Sequence, residues 1–278
     1  MRFNYSIKMK KLSILLLVLL PLLSQAKTER ITLQGDHSQL VGDLQTPDQM
    51  GKKTPVVIIC HGFLSNRNMP LLKMIADGLE AKGIASLRID LNGHGESGGS
   101  LEQMTIPNQI EDLRKTIAWV QADGRFGPIA LVGHSQGGVV TSMLAGELGK
   151  KTIRSLVLLA PAGAIRDNAI SGAMFPDGKG DPLDPPQFIP IGGGKRVSRD
   201  YVTTAFWLPI YETAGNYRGP ACIIHGTGDR KVPYTYGLRF HQMWKGSEYH
   251  QLDRFDHGFT QNPRQVADIA VAFLSGKM

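Results

Sequence analysis

The feature that most constrains this chain is a Gly-x-Ser-x-Gly motif placed between two apolar runs. The motif is Gly133-His134-Ser135-Gln136-Gly137, with a strand-like run, Ile129–Val132, before it and a helix-compatible run after it. A strand, a sharp turn and a helix in this order form a nucleophile elbow, which places a serine at the tip of the turn. Both flanking glycines are needed because a side chain there would strike the strand or the helix. The motif therefore predicts Ser135 as a nucleophile.

A second copy of the motif, Gly95-Glu96-Ser97-Gly98-Gly99, lacks this context. The residues before it, Asn92-Gly93-His94, are typical of a loop. The two glycines after Ser97 disfavour a helix. We therefore expect Ser97 to be a loop serine.

The chain around the motif alternates between strand and helix patterns. Several apolar runs lack the alternation of a half-exposed strand, as expected for parallel strands buried on both faces. Leu71–Lys82 and Ile110–Val120 have the spacing of amphipathic helices. Together these patterns predict an α/β fold with a mostly parallel sheet flanked by helices. The apolar runs are Pro55–Cys60, Ile84–Asp90, Ile153–Leu159 and Ala221–Ile224.

Two stretches depart from this alternation. The short strands Ile31–Leu33 and Leu40–Leu44, before the first helix, are expected to pair antiparallel. Between about residues 160 and 208 the pattern breaks into glycines and prolines. This stretch is too long for a plain loop in a compact domain. We therefore predict one domain over residues 27–278 with an inserted lid at about 160–208.

A serine nucleophile needs a base, usually histidine, and a carboxylate that orients that base. On a scaffold of this kind the acid and the histidine follow the serine in that order. Asp229 comes directly after a late apolar strand, and His257 follows the last predicted strand, Glu248–Leu252. Asp256 is a rival acid, but neighbouring residues seldom face each other across a turn. We predict a triad of Ser135, Asp229 and His257.

Acyl transfer also needs backbone N–H groups that stabilise an oxyanion. One donor should be the amide of Gln136, the residue after the nucleophile, and the other should come from the loop after the third strand. That loop is His61-Gly62-Phe63, so we predict the Phe63 amide as the second donor. The remaining histidines near these motifs are expected to fix loops by hydrogen bonds. They are His61, His94, His134 and His225.

The first 26 residues have the composition of a secretory signal peptide. A basic head precedes the apolar run Leu12–Leu23, and Ser24-Gln25-Ala26 supplies the small residues at a cleavage site. The run is shorter than the roughly 20 residues that a membrane helix needs. We expect export to the periplasm or beyond, with no stable membrane association after cleavage; an uncleaved anchor is the alternative. The basic residues of the head are Arg2, Lys8, Lys10 and Lys11.

The net charge bears on whether the chain binds nucleic acid, and the two cysteines bear on whether it forms a disulfide. Residues 1–26 hold four basic and no acidic residues, so the remainder carries 27 basic against 24 acidic residues, a net charge of +3. No basic patch with interleaved aromatic residues is present, so no nucleic-acid partner is expected. Cys60 and Cys222 lie inside apolar runs, and we expect two buried free thiols.

Together, these motifs resemble the α/β-hydrolase superfamily. The resemblance rests on the elbow, the His61-Gly62-Phe63 loop, Asp90–Ser97, His225–Asp229 and Asp256-His257-Gly258. More narrowly, the chain is similar to the bacterial cinnamoyl and feruloyl esterases. This narrower likeness includes Ile189–Lys195 and Leu208–Tyr211, in and just after the predicted lid.

The resemblance implies hydrolysis of hydroxycinnamate esters, either small or linked to polysaccharide, through an acyl-enzyme. It implies no metal and no other cofactor, and it leaves a homodimer open. In that family an acid and a tyrosine of the lid reach the phenolic hydroxyl of the substrate. By position these residues are Asp167 and Tyr201, although both could instead face solvent, because lids vary most.

Three alternatives stay open from the sequence. A lipase or monoacylglycerol-type esterase would use the same triad, but a lid rich in Gly, Pro and Asp argues mildly against it. A non-catalytic binding protein would require a broken triad, and every predicted member is present. A peptidase or a C–C bond hydrolase would use the same three residues.

Overall fold

A single eight-stranded sheet organises the part of the chain that the computed structural model describes, which is Met1 and residues 27–175 and 180–278. Apart from Met1, the predicted signal peptide lies outside these residues. A separate two-stranded hairpin is formed by β7 and β8. The strands are β1 (Lys27–Gln34), β2 (Gln39–Thr46), β3 (Thr54–Cys60), β4 (Ala85–Ile89), β5 (Phe126–His134), β6 (Ile153–Leu159), β7 (Phe188–Pro190), β8 (Arg196–Ser198), β9 (Ala221–Gly226) and β10 (Glu248–Leu252).

The strand order of the large sheet is β1-β2-β4-β3-β5-β6-β9-β10. Only β2 runs against the others, because it pairs antiparallel with both β1 and β4. The predicted fold class, an α/β fold with a mostly parallel sheet, is confirmed. The N-terminal strands pair antiparallel as predicted but are longer, since pairing with β2 extends β1 through the polar residues Lys27–Arg30.

Helices cover both faces of the sheet. The buried strand side chains alternate between two apolar clusters, one under α1 and α8 and the other under α2, α3 and α7. In β3, for example, Val57 and Ile59 belong to the first cluster and Val56 and Ile58 to the second. No helix among the described residues is long and apolar enough to cross a membrane. The helices are α1 (Pro70–Glu80), α2 (Ile106–Ala122), α3 (Gln136–Thr152), α4 (Ile165–Ile170), α5 (Arg199–Phe206), α6 (Ile210–Ala214), α7 (Thr235–Met243) and α8 (Pro263–Ser275).

The segment predicted as a lid lies between β6 and β9. Its described part contains α4, the β7–β8 hairpin and α5. Its first residues are joined to the elbow, because the Ala162 amide donates to the carbonyl of Ser135 at 3.0 Å. The α6 helix that follows is fixed to the scaffold, since the Trp244 indole donates to the Ala214 carbonyl at 3.0 Å.

A buried ion pair joins the loop after β3 to the end of β4. Asp90 is fully buried, and its carboxylate accepts hydrogen bonds from the Arg67 amide at 2.7 Å, from the Arg67 guanidinium and from the Glu96 amide at 2.8 Å. Arg67 also lies 3.1 Å from a carboxylate oxygen of Asp43. This pair therefore fixes the loop that carries the predicted oxyanion donor Phe63.

We predict that Asp90→Asn lowers the free energy of unfolding by about 3 kcal/mol, because it removes the fully buried carboxylate among the three that compensate the buried Arg67 charge. The new amide would also direct N–H donors at other donors. Asp123→Asn is the matched control: Asp123 pairs with Arg125 at 2.6 Å at a more exposed site, and we expect a cost below about 1 kcal/mol. Urea unfolding measures both, and equal losses would contradict a special role for the Asp90 pair.

Candidate active site

The nucleophile elbow lies where β5 ends and α3 begins. Ser135 has φ 54° and ψ −120°, a left-handed conformation that costs energy for a residue with a side chain. A Cβ at Gly133 would collide with the Gly137 carbonyl, and a Cβ at Gly137 would collide with the His61 carbonyl. The predicted need for small residues on both sides of Ser135 is therefore confirmed.

The second Gly-x-Ser-x-Gly motif has a structural task. The Ser97 hydroxyl donates to the Asp90 carbonyl at 2.6 Å and accepts from the Val41 amide at 2.8 Å. It ties the loop after β4 to β2. The prediction that Ser97 is a loop serine is confirmed.

The three predicted triad residues lie in one hydrogen-bonded row. His257 Nε2 is 2.8 Å from Ser135 Oγ, and His257 Nδ1 is 2.7 Å from Asp229 Oδ2. Since an ionised carboxylate only accepts, Nδ1 carries the ring proton and Nε2 is free to accept the serine proton. The residues follow β5, β9 and β10, so the carboxyl edge of the sheet brings together groups that are distant in sequence.

Asp229 is held by four hydrogen-bond donors. The amides of Lys231 and Val232 donate to Oδ1 at 2.8 and 2.9 Å, and His257 and His225 donate to Oδ2. Burial by itself raises the pKa of Asp229, but the hydrogen bonds from His225 and His257 outweigh it and hold the pKa well below its ordinary value. The carboxylate therefore stays ionised at neutral pH.

His225 is a residue whose place the sequence did not predict. Its Nε2 lies 3.1 Å from Asp229 Oδ2 and 3.0 Å from the Val232 carbonyl, so this nitrogen carries the proton and donates to both. The ring is fully buried, and a Cβ at Gly237 of α7 would collide with it. The prediction of a loop-fixing histidine is confirmed, and the loop that His225 fixes is the one that carries the triad acid.

The rival acid Asp256 faces its own loop. Its carboxylate accepts from the Gly258 amide at 3.1 Å, from the Thr260 amide at 2.9 Å and from the Thr260 hydroxyl. These bonds close the turn that carries His257. They leave Asp229 as the carboxylate that contacts the His257 ring.

The two predicted oxyanion donors flank the nucleophile. Gln136 is the first residue of α3, and a Cβ at Gly62 would lie 2.8 Å from Ser135 Cβ, so glycine lets the Phe63 backbone approach closely. Among residues 27–175 and 180–278, neither the Phe63 amide nor the Gln136 amide donates to a protein acceptor. Both N–H groups are available to an oxygen beside Ser135, and their role there stays a prediction.

The Gln136 side chain connects the elbow to the predicted lid. Its Nε2 donates to Gln109 Oε1 at 2.7 Å, and its Oε1 accepts from the buried Tyr201 hydroxyl at 2.6 Å. The Tyr201 ring stacks with Phe63 and Phe175, with ring centroids 5.7 and 5.9 Å apart. Phe63 and Phe175 also stack on each other at 5.7 Å. We call Phe63, Phe175 and Tyr201 the aromatic cluster.

Asp167, the other predicted lid residue, has a different partner from Tyr201. Its carboxylate accepts from the Tyr236 hydroxyl at 2.9 Å, which links α4 to α7. Both predicted substrate contacts are thus engaged within the protein in this structure. Contact between either side chain and a phenolic hydroxyl of a substrate stays a prediction.

Three further histidines fix loops around the site, as predicted. His61 Nε2 accepts from the Leu91 amide at 3.0 Å, His94 Nε2 accepts from the Leu64 amide at 3.2 Å, and His134 Nε2 donates to the His257 carbonyl at 2.8 Å. Burial lowers the pKa of His61 to about 4 and that of His134 to about 3, and it also lowers the pKa of His94. All three rings are therefore neutral at pH 7.

One group of side chains away from the triad offers metal-ligand atoms. Atoms of Cys222, Glu248 and His250 lie within 4.8 Å of one another, near the amino ends of β9 and β10. Burial raises the pKa of the Cys222 thiol to about 12, which opposes the thiolate that a metal needs. Cys60 and Cys222 are both buried free thiols, as predicted. The expectation that no metal or cofactor is used stays a prediction.

Comparison with known proteins finds the same α/β-hydrolase fold by sequence and by structure. A model of the alpha/beta hydrolase fold family matches residues 55–183. The structure of Est1E from Butyrivibrio proteoclasticus with bound ferulic acid superposes with a TM-score of 0.85 and 25% sequence identity, covering 89% of this chain and 98% of Est1E.

Two curated proteins each match at least 70% of the chain at about one quarter sequence identity. The human protein ABHD12B is 26% identical over 219 residues, which cover 75% of this chain and 56% of the human protein. This chain thus spans about half the length of that relative. The monoacylglycerol lipase of Mycolicibacterium smegmatis is 24% identical over 224 residues, covering 70% of this chain and 76% of the lipase.

We predict that His225→Leu lowers kcat by roughly tenfold, because the triad acid loses a donor that orients it. The acid limb of the kcat/KM profile should move to higher pH, since the His225 hydrogen bond helps to keep the pKa of Asp229 low and its loss raises that pKa. His225→Gln, which can place an N–H near the same point, should restore part of both effects. Loss of thermal stability with an unchanged pH profile would mean that His225 only packs.

Proposed function

This chain has an α/β-hydrolase fold, and on that premise we propose that it is a serine esterase of that superfamily, which hydrolyses hydroxycinnamate-type esters through an acyl-enzyme. The observation that carries the proposal is the row Asp229–His257–Ser135, closed by hydrogen bonds of 2.7 and 2.8 Å. Distances of this size allow proton transfer in both directions between the hydroxyl and the imidazole.

The first half-reaction acylates the serine. His257 Nε2 takes the Ser135 proton as Oγ attacks the ester carbonyl carbon, and the carbonyl oxygen becomes an oxyanion. The amides of Phe63 and Gln136 donate to that oxygen, each contributing about 3 kcal/mol. The C–O bond to the alcohol then breaks, His257 gives its proton to the leaving oxygen, and an acyl ester on Ser135 remains.

The second half-reaction releases the acid. Water replaces the alcohol, and His257 Nε2 takes a proton from it as the water oxygen attacks the acyl carbon. The same two amides stabilise the second oxyanion. Collapse breaks the bond to Ser135 Oγ, which recovers the proton from His257. Throughout, the ionised Asp229 stabilises the imidazolium and holds its Nδ1 proton in place.

The aromatic cluster supports an aromatic acyl group. Phe63 also carries an oxyanion donor, and Tyr201 bonds the side chain of Gln136, so the cluster lies beside the reacting atoms. Aromatic rings prefer offset or edge contacts with another ring. Est1E, which resembles this chain over most of its length, is described with ferulic acid bound.

A second candidate function is hydrolysis of aliphatic acyl esters. The likeness to the monoacylglycerol lipase of Mycolicibacterium smegmatis favours it. The mechanism would be unchanged, and only the group held by the aromatic cluster would differ.

We predict that Ser135→Ala lowers the turnover of any accepted ester by roughly a millionfold, because no other hydroxyl lies in the row. Ser97→Ala is the matched control, since Ser97 occupies the same motif but bonds only to the fold. It should keep turnover within a few-fold of the wild type. If Ser135→Ala retained activity, measured by release of free acid, Ser135 would not be the nucleophile.

Substrate choice is tested with methyl esters, so that the alcohol stays constant. We expect methyl ferulate to have a higher kcat/KM than methyl butanoate or methyl octanoate. Phe175→Ala should raise KM for methyl ferulate about fivefold, the size of one aromatic contact, with little change for methyl butanoate. Phe188→Ala removes a ring elsewhere in the same segment and serves as the control. A preference for the octanoate would favour the second candidate.

A further inference from the structure

We propose that the cleft beside His257 is a subsite for an anionic group on the alcohol part of the ester. The inference rests on the proposed function, because it concerns what leaves past His257. It deepens that function by assigning an aromatic site to the acyl part of the ester and a cationic site to the alcohol part. The acyl side carries the aromatic cluster, and the alcohol side carries the cations Arg230, Lys231 and Arg254.

The cleft lies between the loops that follow β9 and β10. Its volume is about 690 Å³, and it is lined by Thr227, Gly228, Arg230, Lys231, Arg254, Asp256, His257, Gly258, Thr260 and Gln261. His257 is part of the wall. A volume of this size falls within the range of small-molecule sites. The cleft can therefore hold a group considerably larger than methanol.

The chemistry of the triad sets which part of the ester reaches this cleft. His257 Nε2 must give its proton to the alcohol oxygen, so that oxygen passes the imidazole on its way out. The aromatic cluster contacts the elbow through Phe63 and the Tyr201–Gln136 hydrogen bond, and none of its members lines the cleft. An alcohol longer than methanol extends past the imidazole toward the cleft.

Few carboxylates of the protein lie close enough to the cations of the cleft to neutralise their charge. Arg230 and Lys231 are exposed, and among the described residues no carboxylate lies within 4 Å of either charged group. Arg254 lies 3.6 Å from Asp253, with both side chains more than 80% exposed, which makes this a weak pair. The positive charge is thus available to a ligand.

Asp256 and Asp229 keep their negative charges, but their carboxylates bond to donors other than the side chains of Arg230, Lys231 and Arg254. Asp256 in the wall accepts from the Gly258 amide and from both donors of Thr260. Asp229 behind the wall accepts four hydrogen bonds. The Lys231 amide is one of those four donors, so the backbone that carries Lys231 is fixed relative to the triad.

A carboxylate, a sulfate or a phosphate shares the chemistry that such a site recognises. Guanidinium groups bind these anions through two parallel N–H bonds, and an ammonium adds a point charge. A neutral alcohol gains nothing from these groups, and a cationic alcohol is repelled. The cleft therefore favours esters whose alcohol carries a negative charge.

The test compares three alcohols of matched length on one acyl group: butyl, 3-carboxypropyl and 3-aminopropyl. Feruloyl and butanoyl series are both made, so that the alcohol effect is measured on whichever acyl group is turned over. At low ionic strength we expect KM for the 3-carboxypropyl ester to be about fivefold below that for the butyl ester, and the 3-aminopropyl ester to bind worst. About 0.5 M NaCl should remove most of the difference.

Reversing the charges of the cleft tests whether its cations cause the preference for an anionic alcohol. Arg230→Glu/Lys231→Glu should invert the ratio of kcat/KM between the anionic and the butyl ester. The ratio within one variant is the readout, so a general loss of activity cancels. The control is Lys150→Glu/Lys151→Glu, which makes the same change in net charge at the far end of α3, roughly 20 Å from Ser135. It should leave the ratio as in the wild type.

Each outcome decides the proposal. If the reversed variant does not fold, Arg230→Gln/Lys231→Gln and the salt dependence of the wild type give the same comparison. Equal KM for the anionic and butyl esters, with normal turnover of both, would overturn the subsite and leave the esterase function standing. Turnover of no ester in either series would overturn the esterase function and this inference with it.

Discussion

The carboxylate of Asp229 is the group on which the site depends. A buried negative charge is costly unless donors compensate it, and here four donors do so from three parts of the chain. Two are amides of its own loop, one is His225 within β9, and one is His257 after β10. The same charge that orders these loops orients the imidazole toward Ser135. The fold of this edge and its proposed chemistry therefore share one electrostatic cause.

The sheet supplies the rest of the geometry at its carboxyl edge. The sharp turn after β5 raises Ser135 above the start of α3, and Gly62 lets the loop after β3 come close beside it. The Asp90–Arg67 pair fixes that loop from beneath. The Gln136 side chain then links the elbow to Gln109 of α2 and to Tyr201 of the predicted lid. A shift of α5 would thus be transmitted to the residue that carries an oxyanion donor.

Much of this arrangement could be predicted from the sequence, because it is encoded in chain order and in glycine placement. Ser135, Asp229 and His257 stand where strands of a parallel sheet end, and the apolar runs without alternation identify those strands. The contacts of Tyr201, Gln109 and Phe175 could not be predicted in this way. They join segments that are remote in the chain, and each residue alone has an ordinary local context. The hydrogen bond from His225 to Asp229 was not predicted, because the apolar sequence of a buried strand does not indicate where its one polar side chain points.

The most direct test of the central claim, that these three side chains form a working acyl-transfer row, is to trap the covalent intermediate. Protein mixed with an accepted ester is quenched in acid within the first turnovers and measured by intact and peptide mass spectrometry. We predict a mass increase equal to one acyl group, located on Ser135. Asp229→Asn should slow the appearance of this adduct, because the same carboxylate serves both half-reactions. Ester turnover with no adduct, or with the acyl group on another residue, would contradict the account.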